Sequence, residues 1–84
     1  MLTLMKMTNR YLVYPEDETM EIEHSPQFDD MVDLNGRPLA LPLKTHRIIA
    51  YRVYKIRKEE KTGEENIYYH LELMSVQELE GLVR

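Results

Sequence analysis

The stretch THRIIAYRVYKIRKEEKTGEENIYYHLELM, Thr45 to Met74, reads as one long β-hairpin and constrains the fold more than any other part of the chain. Two Tyr-rich, β-branched runs flank a hydrophilic tip, RKEEKTGEEN, with Gly63 where the chain must reverse. The second arm alternates: Ile67, Tyr69, Leu71 and Leu73 are expected inward, Tyr68, His70 and Glu72 outward. The first arm does not. Ile49, Tyr51 and Val53 fall on one side, and Ile48, Ala50, Tyr54 and Ile56 on the other, so this arm is either covered on two faces or bulged in its middle. A turn at Gly63 permits two neighbouring registers. One sets Val53 opposite Leu71 and Arg52 opposite Glu72; the other sets Tyr54 opposite Leu71 and Ile56 opposite Tyr69. A bulge would satisfy each in turn.

The hairpin is long for its domain. The 84 residues suffice for one domain, 1–84, with a thin core and with residues 1–9 expected to be disordered. A compact chain of this length has a radius of gyration of roughly 12 Å and a diameter of about 30 Å. Arms of Ala50–Glu60 and Glu64–Met74 would span roughly 36 Å at about 3.3 Å per residue. The apolar base of the hairpin must therefore curl, and its charged tip must protrude. Two strands are not stable alone, so the base must recruit other segments.

Three segments are available. Arg10–Tyr14 is a short strand stopped by Pro15. Thr19–His24 alternates, Met20, Ile22 and His24 against Glu21 and Glu23, as a half-buried strand does. Leu39, Leu41 and Leu43, spaced by two and interrupted by Pro38 and Pro42, suit an extended stretch that lays leucines on the core. Between them, Ser25-Pro26 signals a helix start, with Asp29 and Asp30 near its first turn and Asn35-Gly36 as its stop; one or two helical turns fit, or else an ordered loop. After the hairpin, Ser75 and Glu78 form a capping box, and Val76, Leu79, Leu82 and Val83 make an apolar stripe at helical spacing. The expected fold is mainly β, bordering on α+β. It is a small antiparallel sheet or a partly open SH3-like barrel built round one long hairpin, with a short C-terminal helix.

Chemistry is scarce. There is no cysteine, so thiolate nucleophiles, disulfides and thiolate metal sites are excluded, and a reducing cytoplasm is the expected location. Both serines, Ser25 and Ser75, stand at helix-start signals where capping accounts for them. His24, His46 and His70 are too far apart for a helical metal pair. Asp29, Asp30 and Asp33 spell DDxxD, but the large helical cavity that such a motif serves cannot be built from this chain. A calcium loop starting at Met31 would end at Pro42, and neither residue can ligate as the loop requires. No run is long and apolar enough for a membrane span or export signal. No catalytic residue, cofactor or metal site is expected.

The net charge of −4 hides a segregation of sign. Glu16 to Asp33 carries acids and no base, and Arg37 to Lys58 carries bases and no acid. Blocks of opposite sign in one small domain are expected to satisfy each other across the fold. The other reading is a basic face for a partner. Arg and Tyr are the residues of interaction hot spots, and an over-long hairpin offers an edge for strand addition or self-pairing. The expected function is therefore a non-catalytic interaction module, docking a protein or a second copy in a weak homodimer through Arg52, Tyr54, Lys55, Arg57, Tyr68 and His70. The alternative is single-stranded nucleic-acid binding, because aromatics flanked by cations suit base stacking plus phosphate contact. The four tip glutamates, Glu59, Glu60, Glu64 and Glu65, oppose it. A small enzyme comes third.

Overall fold

The computed structural model describes residues 7–83. Five strands run in chain order: β1 (Met7–Val13), β2 (Thr19–Ile22), β3 (Met31–Asp33), β4 (Ala50–Lys61) and β5 (Glu64–Leu73), followed by one helix, α1 (Val76–Glu80). They form a single sheet of order β2-β1-β5-β4-β3, curled into a half-barrel with the helix at its C-terminal end. The molecule is long, 56 × 24 × 18 Å, with a radius of gyration of 15.2 Å against the roughly 12 Å of a compact chain. The long axis reflects a hairpin that outruns the core.

β4 and β5 pair from Tyr51↔Leu73 to Lys61↔Glu64, and Gly63 takes the turn at φ 74. The register shifts between Val53 and Lys55. Below the shift, Arg52 faces Glu72 and Val53 faces Leu71; above it, Lys55 faces His70 and Ile56 faces Tyr69. Both registers open to the sequence therefore occur, and Tyr54 is the extra residue between them. The first arm is also covered on two faces at its base. Tyr51 and Val53 enter a core with Leu12, Tyr14, Val32, Tyr69 and Leu71. Ala50 joins a second core with Leu43, Met74 and Leu79.

The sheet is mixed rather than wholly antiparallel. β1 runs parallel to β5, from Met7↔Glu64 to Val13↔His70, while β2 returns antiparallel beside β1. The tip thus has a third strand along it. Residues 7–9, expected to be disordered, are paired there, the Met7 amide donating to the Gly63 carbonyl at 3.0 Å. The rest of that expectation, on residues 1–6, lies outside the described residues.

The expected helix after Ser25 does not form. Asp29 adopts φ 72, which a right-handed helix cannot include, and the segment bonds β4 instead. The Asp29 amide donates to the Val53 carbonyl, and the Val53 amide to the Asp30 carbonyl, both at 2.9 Å. An exposed strand edge with unmet hydrogen bonds outweighs a one-turn helix whose Phe28 would bury little; Phe28 stays exposed. Two of the three aspartates serve local turns, and Asp29 faces Arg52. Asp30 accepts from the Gln27 amide, and Asp33 accepts from the amides of Asn35 and Arg37.

Closure of the curl rests on the loop after β3. Gly36, at φ 80, lies so close that a Cβ would stand 2.9 Å from Leu12 Cδ1 and 2.9 Å from Met20 Sδ. The Tyr14 hydroxyl donates to the Leu34 carbonyl at 3.2 Å, tying β1 to the same loop. Of the expected leucines, Leu43 is buried and Leu39 packs beside it, whereas Leu41 faces outward. Leu73 and Val76 are likewise exposed, not inward, because the chain turns at Met74 to bury that residue in the second core. The capping box at Ser75 and Glu78 is present in full.

Candidate functional site

The six candidate residues separate into one that is tied down and five that share a surface. Arg52 is tied down. Its guanidinium meets Glu72 and Glu78 at 2.8 Å each, with Asp29 at 3.9 Å. The hydrogen bonds that Arg52 donates to Glu72 and Glu78 raise its pKa, and the Ser75 amide with Arg52 holds the Glu78 carboxyl below its ordinary range. Arg52 thus fastens β4, β5 and α1 together. Among the described residues, the basic arm draws its ion pairs mostly from the hairpin and helix: Arg57 with Glu59 at 3.5 Å and Lys58 with Glu65 at 3.7 Å follow the same pattern. From the acidic 16–33 segment comes Asp29. The expected cross-fold neutralisation is met by nearer carboxylates.

The other five lie on the outer face of the sheet above α1. The pairing stacks the outer face into rows: Lys55–His70–Val13, Arg57–Tyr68–Tyr11, and Glu59–Asn66–Asn9. Tyr54, displaced by the register shift, turns to this face and meets the His70 ring edge-on at 6.4 Å between centroids. In the middle row the Arg57 guanidinium lies over the Tyr68 ring at 4.3 Å, and Tyr68 stacks on Tyr11 at 5.4 Å. In the third, Asn9 Nδ2 donates to Asn66 Oδ1 and Asn66 Nδ2 to Glu64 Oε1, both at 3.0 Å. Tyr11 joins this surface without having been expected there. Its register beside Tyr68 depends on the parallel pairing of β1, which no local pattern announces.

The electrostatics of the face are mixed. His70 titrates below its ordinary value because it is partly buried and stands beside the cations of Arg57 and Lys55; its Nε2 is covered and has no hydrogen-bond partner. Tyr11 titrates above its ordinary value through burial and the charges of Glu21 and Glu64. A positive corner at Lys55 and Arg57, with the imidazole of His70 between them held toward its neutral form, therefore borders the carboxylates of Glu59, Glu21 and Glu64. Tyr51, interleaved with the basic residues in the sequence, is not part of the face; it points inward, edge-on to Tyr14 at 5.0 Å.

Two shallow hollows lie elsewhere. One, about 470 Å³, is bounded by Arg52, Glu78, Met31 and Met74; the other, about 480 Å³, by Leu41, Pro42 and Leu82. The first is occupied along one wall by the Arg52 ion pairs. Among the described residues, no group of three or more His, Asp and Glu is placed to hold a metal ion, and no helix is long and apolar enough to cross a membrane.

The sequence pattern over residues 6–82 matches the family described as Uncharacterised Treponema protein. The chain belongs to that family. No curated protein and no solved structure matches it.

Proposed function

We propose that the chain is a non-catalytic interaction module that docks a protein partner on the outer face of its hairpin. The observation that carries this reading is the fixed aromatic and cationic array of Tyr54, Lys55, Arg57, Tyr68 and His70 on a face that the helix leaves uncovered. Rings and a guanidinium locked against each other lose little entropy on binding, which is what anchors of an interface require. Arg52 supports the array from beneath, as the clamp between the strands and α1.

The nucleic-acid alternative is the weaker reading. Tyr68 has its ring faces engaged by Arg57 and Tyr11, leaving little of it for a base, and Glu21, Glu59 and Glu64 stand where phosphates would pass. A cytoplasmic location fits the lack of cysteine and goes with the same proposal.

The test is a displayed peptide library selected against the whole chain, with amide shifts mapping where the selected peptides bind. Shifts centred on Tyr54–Arg57 and Tyr68–His70, and an affinity loss of about tenfold in Tyr54→Ala or Tyr68→Ala, are expected. Selected peptides indifferent to both substitutions overturn the reading. A single-stranded oligonucleotide that shifts the same amides and is released by salt favours the alternative.

A further inference from the structure

β3 covers only the first residues of β4, Ala50 to Arg52, and the loop before it bonds Val53. Beyond that point, among the described residues, no strand lies on the outer side of β4 from Tyr54 to Lys61. The loop of two residues, Thr62 and Gly63, makes Lys61↔Glu64 the closing hydrogen-bonded pair of the hairpin. Counting back, Glu59, Arg57 and Lys55 also bond β5, so Ile56 and Lys58 turn their amides and carbonyls to the free side. The Val53 amide, donating away from β5 to Asp30, agrees with that phase.

We infer that this free edge pairs with the same edge of a second copy of the chain, antiparallel about a two-fold axis at Lys58. The inference goes beyond the docking proposed above: its partner is a second copy of the chain, and its surface is the strand edge rather than the outer face. Charges on an edge ordinarily keep strands apart. Here their order makes the centre of the edge complementary to itself, because Arg57 is followed two residues on by Glu59. The flanking Lys55 and Lys61 face each other only at the ends of the pairing. A two-fold antiparallel pair keeps each residue on its own face; with the axis at Lys58, Lys58 meets Lys58, and Arg57 of each copy stands opposite Glu59 of the other. Within one chain Arg57 and Glu59 are already 3.5 Å apart, so the two copies bring four charges into one alternating cluster on the outer face. The like pair at the axis is offset by Glu65, which lies 3.7 Å from each Lys58 ammonium. Ile56, at 43% exposure, is covered by the incoming strand, and the two half-barrels become one continuous sheet. One strand against one strand is a small interface, so association is expected to be weak and concentration-dependent.

The chain has no cysteine, which gives a clean assay. Lys58→Cys places one thiol on the axis, where facing Cα atoms of a hydrogen-bonded pair are about 5.5 Å apart, within disulfide reach. Under mild oxidation it should form a dimer faster than Glu16→Cys, a thiol on the exposed turn after β1. By sedimentation equilibrium, Glu59→Arg should weaken the dimer about tenfold, and Arg57→Glu/Glu59→Arg should regain it. A monomer at every concentration, equal cross-linking at both positions, or no recovery in the double variant overturns the pairing. Docking on the outer face is decided separately, by the response of selected peptides to Tyr54→Ala and Tyr68→Ala.

Discussion

The two ends of the hairpin have nearly the same backbone and opposite surroundings. At the base, Val53 and Leu71 are sealed into one core and Ala50 and Met74 into another, on the opposite face. At the tip, Lys58 and Glu65 pair across one face while Glu59 and Asn66 face each other on the other. The base is held by apolar burial, the tip by its ladder to β1 and by polar side-chain contacts in water. Burial gives stability in proportion to area, whereas exposed polar contacts give little net energy but keep a defined shape. A rigid yet weakly stabilised ribbon is suited to presenting a surface, and the base to anchoring it.

Paired substitutions at the two ends test that division most severely. Leu71→Ala, in the sealed base, should cost about 3 kcal/mol in urea unfolding. Lys61→Ala, exposed at the tip, should cost less than about 0.5 kcal/mol. Equal costs would break the comparison. Gly36→Ala and Gly63→Ala apply the same contrast to the backbone. Both glycines have positive φ, but only Gly36 has Leu12 and Met20 at 2.9 Å from the added carbon. Gly36→Ala should cost about 2 kcal/mol and Gly63→Ala about 1 kcal/mol by thermal melting. Arg52→Ala should cost about 1 kcal/mol, a modest figure because its carboxylate partners are more than a third exposed. Its loss should also speed amide exchange in α1 before it affects the tip, since the ion pairs bind the helix to the strands.

The smallest effect is the dependence on pH. His70 has its folded pKa below the unfolded value, so the native state binds the proton less readily. Stability is full above about pH 6.5 and declines as pH falls from there toward the folded pKa. Glu78, also depressed, loses its contribution at lower pH, as its carboxylate takes up a proton. In His70→Gln the decline just below neutrality should disappear while the more acidic one remains. An unchanged profile in denaturant titrations at pH 7 and 5.5 would remove His70 from the account.

What could be read from the residues is local in its physics. The turn at Gly63, the alternation of Ile67, Tyr69 and Leu71, and the cap at Ser75 each depend on neighbours a few positions away, and each stands as expected. The irregular first arm stated its problem in the sequence, two apolar faces, and the structure answers with both cover and bulge. Five of the six candidate surface residues could be grouped because they share one arm-to-arm pairing. Arg52 fell outside the group because Glu78 reaches it only after α1 folds back. Tyr11 was missed because its place depends on the direction of β1.

The sequence by itself determined the hairpin, its excess length and the short capped helix, since periodicity, turn residues and caps act within a few residues. The tertiary structure decided the parallel docking of β1, the strand in place of a helix at Met31–Asp33, and the neutralisation of Arg52. Alternation looks the same whichever way a strand runs, and a one-turn helix is too weak to refuse an open edge. Those choices belong to whichever hydrogen-bonding edge the folded hairpin leaves available.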